Sequence, residues 1–248
     1  MAGSQAVTQI RPLSALAELA DCVKLQQTVW GFSDIELLPL PPFVVASQTG
    51  GQVLGAYCGA QMTGFCLAFP AIKPDGKPYL HSHMLAVLEE YRNQGVGMQL
   101  KMRQREDAIA RRLDLIEWTF DPLELKNAFF NIERLGAIVR RYAENEYGTS
   151  SSPLQGGLPT DRCIAEWWIA SSSVDALAHG REVGRASIQE RIAVPADLHR
   201  IRREDPRRAR EIQRANAARF QSSFQAGLAV IGFEYTEKNG VYLLGTLP

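Results

Sequence analysis

Residues 91–100 read YRNQGVGMQL, and the reading of the whole chain turns on Gly95 and Gly97 standing one residue apart behind Arg92. Lacking Cβ atoms, these glycines let main-chain N–H groups approach an anion closely and permit φ > 0. A helical pattern runs from Val96 to about Leu113, with Leu100, Met102, Ala108 and Ile109 among polar residues. A helix that starts here offers unpaired N–H groups and the positive end of its dipole. Arg92 can add a charge-assisted bond to the same anion. The chemistry is that of a phosphate loop, which several ligand classes share. A nucleoside-triphosphate loop requires GxxxxGK[ST], and no Lys-Ser/Thr follows Gly97. A dinucleotide fold requires GxGxxG directly after its strand. Here Leu100 replaces the third glycine, and seven residues, Leu88 to Gln94, separate Val87 from Gly95. Glu117, about 20 residues past Gly97, is the one dinucleotide feature in place.

Upstream, PYLHSHMLAV reads as a strand feeding the loop, and QVLGAYCGAQMTGFCLAFPA as a two-stranded hairpin broken at Gly59. A short strand is expected around Ala6–Arg11, then a helix with Ser14 as N-cap and Leu16, Leu19, Val23 and Trp30 on its buried face. A short helix can follow Pro42. Downstream, LDLIEWTF and RCIAEWWIA read as strands, and a helix from about Pro122 stops at Gly136. ENEYGTSSSPLQGGLPTD is a long polar loop of the kind that often carries function. Past Ser171 a strong helix is capped by Asp205, opened by Pro206 and stopped at Gly227, with Ile212, Phe220 and Phe224 inward. A final hairpin is expected around Asn239-Gly240.

Arg92, Gly95 and Gly97 match Arg/Gln-x-x-Gly-x-Gly/Ala, and in this the chain resembles the GNAT superfamily of acyl-CoA-dependent N-acetyltransferases. LAV followed by LEEYRNQGVG is similar to the family's strand, turn and pyrophosphate loop. NAFFNIERLG, with Ala128, Leu135 and Gly136, resembles its later helix. The likeness spans roughly Ile10 to Ile169. It implies an α/β (α+β) fold: a GNAT-like mixed central sheet flanked by helices over residues 1–171, with a C-terminal αβ extension over 172–248 that packs on or completes the sheet. It implies acetyl-CoA, or another acyl-CoA, as donor. Its pyrophosphate would lie on the loop formed by Arg92, Asn93, Gln94, Gly95, Val96 and Gly97. Its pantetheine arm would pair with the main chain of Leu85, Ala86 and Val87 as an added strand.

Attack on a thioester requires an amine to lose its proton. Several family members place a glutamate 14 residues before the first loop glycine, where this chain has His81. His81 and His83 alternate onto one strand face, and histidine titrates near working pH. Glu117 is the alternative base, unless it is an exposed strand-end glutamate. Where many members carry a tyrosine as general acid, four residues before the later glycine, this chain has Ile132. Asn127 and Asn131 are polar groups placed to touch pantetheine or sulfur, and Tyr142 could supply a hydroxyl. Trp118, Trp167 and Trp168 are either acceptor-pocket walls or core.

Lys+Arg and Asp+Glu both number 27 over 248 residues, so no net field recommends nucleic acid or an anionic membrane. Arg202, Arg203, Arg207, Arg208, Arg210, Arg214 and Arg219 form a basic helix face diluted by Glu204, Asp205 and Glu211. No apolar run reaches the ~20 residues of a membrane span, and no charged-then-apolar signal opens the chain. Cys22, Cys58, Cys66 and Cys163 lack CxxC or metal-ligand spacing, and two histidines have no third ligand nearby. The expectation is a cytoplasmic enzyme without a metal, acting on a small-molecule amine; a homodimer is compatible with it. The rival readings are a non-catalytic acyl-CoA-binding or regulatory module and a modifier of protein tails that docks an acidic segment on the arginine helix.

Overall fold

The computed structural model describes residues 8–148, 150, 155–184 and 186–247. Residues 6 and 7 of the expected first strand, and 149 and 151–154 of the long loop, lie outside them. The chain divides into two compact units, Met1–Ile116 and Glu117–Pro248.

In the first unit four strands run antiparallel in chain order: β1 (Thr8–Pro12), β2 (Gln52–Cys58), β3 (Gln61–Ile72) and β4 (Pro78–Val87). Gly59 at φ 59° turns β2 into β3, as its sequence position predicts. Helices α1 (Leu16–Trp30) and α2 (Leu40–Gln48) connect β1 to β2, and α3 (Val96–Ala110) follows β4 through a 3-10 turn at Glu89–Tyr91. One sheet face buries Phe65, Leu67 and Ala86 with Leu19, Cys22 and Phe43 of α1 and α2. The other buries Leu54, Ala56 and Cys66 under Val96 and Leu100 of α3. The strands are therefore covered on both sides, which explains why they read as near-continuous apolar runs.

Two local expectations fail here. The N-cap of α1 is Ala15, with no side-chain cap bond, rather than Ser14. Its buried face is Leu19, Cys22, Leu25 and Gln26, while Leu16 is 63% exposed. Gln26 earns its interior place by bonding both the N–H and the C=O of Leu38, at 3.0 Å each, which closes the α1–α2 connection.

Strand β5 (Leu115–Phe120) begins at the end of the first unit, and its residues 117–120 open the second. Helix α4 (Leu125–Phe129) runs on as a π-helical turn, Phe130–Arg134, and stops at Gly136, whose φ is 74°. Then come β6 (Ile138–Ala143), β7 (Arg162–Trp168), α5 (Ser172–Ala178), β8 (Glu190–Pro195), α6 (Leu198–Glu204), α7 (Pro206–Gln225), β9 (Ala229–Tyr235) and β10 (Asn239–Gly245). The strands lie in the order β7-β6-β9-β10-β8, each neighbouring pair antiparallel.

Strand β6 escapes the sequence pattern because Arg140 and Arg141 interrupt its apolar alternation. The register shifts between Val139 and Arg141, and both arginines pair with Glu166. Helix α7 has its expected signals: Asp205 accepts from the Arg208 N–H at 3.0 Å, Pro206 opens the helix and Gly227 sits at φ 81°. Its inward face is Ala209, Gln213, Asn216, Ala217, Phe220 and Ser223; Ile212 and Phe224 are half-buried. Phe220 stacks on Tyr142 at 5.6 Å and meets Tyr242 edge-on at 5.0 Å. The last hairpin turns at Thr236–Lys238, not at Asn239-Gly240. Gly240 lies inside β10, where a Cβ would come 2.6 Å from the Phe233 ring. The fold class read from the sequence, mixed α/β, is the one observed.

Candidate functional site

Within the first unit, β4, the loop after it and α3 form one continuous run. Leu88 ends the strand by donating to the Thr63 carbonyl at 2.9 Å. Asn93 (φ 61°) and Gly95 (φ 83°) are both left-handed and swing the chain into α3. Val96 and Leu100, 2% and 0% exposed, seat the first turns of the helix in the core. Gly95 is the N-cap and supplies no side-chain cap, so the first-turn N–H groups have no intrahelical or capping acceptor. Arg92, Asn93, Gln94 and Gly95 are exposed. The Arg92 Nε donates to the Val87 carbonyl at 3.1 Å, which holds the guanidinium beside the loop. The Gln94 amide donates back to the Glu90 carbonyl at 2.6 Å. Open N–H groups, a helix N-terminus and an arginine form a donor set that fits a pyrophosphate.

Strand β4 carries a bulge that the sequence reading lacks. Leu67 pairs with Met84 and Ala68 with Ser82, so His83 is an extra residue without a partner on β3. The bulge reverses which side chains face which layer. Before it, Ser82 faces α3; after it, Leu85 and Val87 do, and Met84 and Ala86 join the α1/α2 side. The His81 and His83 rings lie 5.9 Å apart, and Phe69 is 5.6 Å from His83. His83 is exposed as a residue, while its ring packs against those of Phe69 and His81. Desolvation first, and then the neighbouring His81, push it down to about 4, which leaves a neutral imidazole at neutral pH.

Beneath the bulge lies a polar cluster that sequence reading also missed. Lys101, 2% exposed, donates to the Ser82 Oγ at 3.2 Å and to the Gln104 Oε1 at 2.7 Å. Gln104 donates to the Cys66 Sγ at 3.1 Å. The inward face of α3 is thus Val96, Leu100, Lys101, Gln104 and Ala108, whereas Ile109 is 41% exposed. The only hint in the sequence was an apolar stripe too thin for a core helix.

The second unit holds the other candidates. Glu117 is 4% exposed rather than an open strand end, and Arg141 occupies its carboxylate. Arg141 also reaches Glu166 at 3.4 Å. Asn131, 2% exposed, donates to the Asn127 Oδ1 at 3.3 Å across one helical turn, and Asn127 is exposed. Ile132 is buried. The Tyr142 hydroxyl donates a hydrogen bond to the Asp161 carboxylate at 2.8 Å, and burial followed by that carboxylate pushes the phenol well above its usual range. Trp118 and Trp167 are core, with rings 6.0 Å apart, while Trp168 is 39% exposed. Arg202 leaves the basic face altogether, buried against Asp121 at 3.0 Å and Glu124 at 2.8 Å, and Arg219 pairs with Glu190 at 3.1 Å. All four cysteines are free thiols, and among the described residues no group of three metal-ligating side chains converges. Among the same residues, no helix is long and apolar enough to cross a membrane.

No family model matches this chain, and no curated protein matches it. Solved structures do. NAA60 of Arabidopsis thaliana, in complex with a bisubstrate analogue, matches 65% of this chain and 98% of its own, at a TM-score of 0.54 and 12% identity. The ribosomal-protein-S18-alanine N-acetyltransferase from Escherichia coli matches 67% of this chain and 96% of its own, at 0.53 and 15%. An acetyltransferase of the GNAT family from Streptococcus pneumoniae matches 64% and 98%, at 0.50 and 14%. This chain has the GNAT fold. The GNAT resemblance seen in Arg92, Gly95 and Gly97 therefore extends to three-dimensional structure. These neighbours match almost end to end, and about a third of this chain lies outside each match.

Proposed function

We propose that this protein is an acyl-CoA-dependent N-acyltransferase, moving an acetyl or similar acyl group from CoA to an amine of a small molecule. The observation that supports it most is the exposed, uncapped start of α3, set by left-handed Gly95 at the end of the loop that follows β4. In this reading Arg92, Asn93, Gln94, Gly95, Val96 and Gly97 hold the pyrophosphate, and the backbone of Leu85, Ala86 and Val87 lines the pantetheine arm. Bound acyl-CoA supplies the thioester. The chain must orient the amine and take its proton, and His81 is the assigned base, beside the neutral His83. Glu117 serves less well, because it would first have to leave Arg141. Residues 1–171 carry the transfer, 172–248 serve as the extension, and the protein acts in the cytoplasm.

Buried Ile132 and the engaged Tyr142 favour a second reading, an acyl-CoA-binding module without turnover, since neither offers a hydroxyl to a departing thiolate. The engaged Arg202 and Arg219 weigh against docking on an arginine face.

Acetyl-CoA at a hundred times its Kd should stabilise the fold by about 2.7 kcal/mol, a rise in Tm of a few degrees. An unchanged Tm at millimolar CoA ends both readings. Thiol release over a panel of small amines separates enzyme from module. Given a substrate, His81→Ala should lower kcat by about 100-fold or more and remove the acidic limb of the pH profile. Unchanged kinetics would move the base elsewhere.

A further inference from the structure

Lys101 is costly where it stands. Its ammonium is buried between α3 and the sheet, facing the Cys66 thiol of β3, the Ser82 hydroxyl of β4 and the Gln104 amide of its own helix. Asp107, six residues further along α3, is engaged by the Gln52 amide. Burial disfavours its charged form and pushes Lys101 down to about 8, against an opposing pull from the Cys66 thiol. A methionine of similar volume would pack there without that penalty.

Geometry offers another role. Ser82, whose Oγ accepts a hydrogen bond from the Lys101 Nζ at 3.2 Å, lies between His81 and His83 at the bulge. A bulged residue lacks its ladder bonds, so its backbone needs another anchor to hold one conformation. The neighbouring Ser82 side chain points to the opposite sheet face from Met84, and it is fastened there by an ammonium with three donors. We propose that Lys101 is a positioning residue: through Ser82 it pins the bulge of β4 and so sets the orientation of the His81 and His83 imidazoles. The role in catalysis rests on the acyltransferase reading of β4; the anchoring itself does not.

The test uses the full chain and needs no substrate. The four histidines of the sequence give four imidazole signals by nuclear magnetic resonance, assigned by single substitutions. In the native protein the His83 signal should titrate near 4. Lys101→Met and Ser82→Ala should each let solvent into the bulge and raise that midpoint by about one pH unit toward its ordinary value. Ser82→Thr, which keeps a hydroxyl, should restore it. Ser82→Ala retains the ammonium, so a shift seen only in Lys101→Met would be through-space charge and would overturn the proposal. An unmoved midpoint in both variants would also overturn it. If Lys101→Met does not fold, the Ser82→Ala and Ser82→Thr pair decides alone. Once an acceptor is known, Ser82→Ala should lower kcat roughly tenfold or more with the KM for acetyl-CoA little changed. Shifted histidines in a protein that binds no acetyl-CoA would uphold the anchoring and count against the acyltransferase reading alone.

Discussion

His83 shows how far one position can depart from its residue type. The sequence favours His81 as the base and sets His83 on the same strand face, but His81 pairs with Phe69, whereas the bulge leaves His83 without a partner on β3. Its folded value lies near 4 against an ordinary 6.5. Between those values the unfolded chain binds a proton that the folded chain refuses, so stability should fall as pH drops from about 6.5 toward 4 and level off below. Urea midpoints for the native protein and His83→Gln, taken from pH 8 down to 3.5, should converge or cross only inside that window. Parallel curves would mean that the imidazole is not desolvated. Lys101 is the complementary lesson, because a residue type that predicts a solvated face sits in the core on the strength of Ser82 and Gln104.

Among the elements, α3 separates what periodicity can tell from what packing decides. Leu100 and Ile109 look alike in the sequence, yet one is 0% and the other 41% exposed. Leu100→Ala should therefore cost about 2–5 kcal/mol, read from the urea midpoint. Ile109→Ala should stay within about 0.5–1 kcal/mol. Comparable losses would mean that α3 is seated differently on the sheet. Helix α7 was legible from end to end because its signals are local: Asp205, Pro206 and Gly227 each act within a few residues. The final hairpin was misplaced by one such local rule. Asn-Gly favours a tight turn, but the missing Cβ of Gly240 admits the Phe233 ring, and Thr236 takes over the turn by donating to and accepting from Asn239.

For the molecule as a whole, residues 172–248, proposed above as an extension, bear on how the second unit holds together. In the second unit β9 pairs with β6 through Val230 and Val139, and Phe220 of α7 covers Tyr142. A chain ending at residue 171 would bare the edge of β6 and an aromatic surface, so it should aggregate or lose cooperative unfolding. A soluble monomer with a sharp transition would instead make residues 172–248 dispensable for folding. The sequence alone determined the glycine loop, the strands around it and the GNAT likeness, because these rest on contacts between near neighbours and on backbone freedom at single residues. Tertiary structure alone decided the bulge at His83, the burial of Lys101 and the ion pair that occupies Glu117. Each of those depends on a partner far along the chain: β3 residues for His83, Ser82 of β4 for Lys101 and Arg141 of β6 for Glu117. A single strand or helix carries no record of which distant group will satisfy its polar side chains.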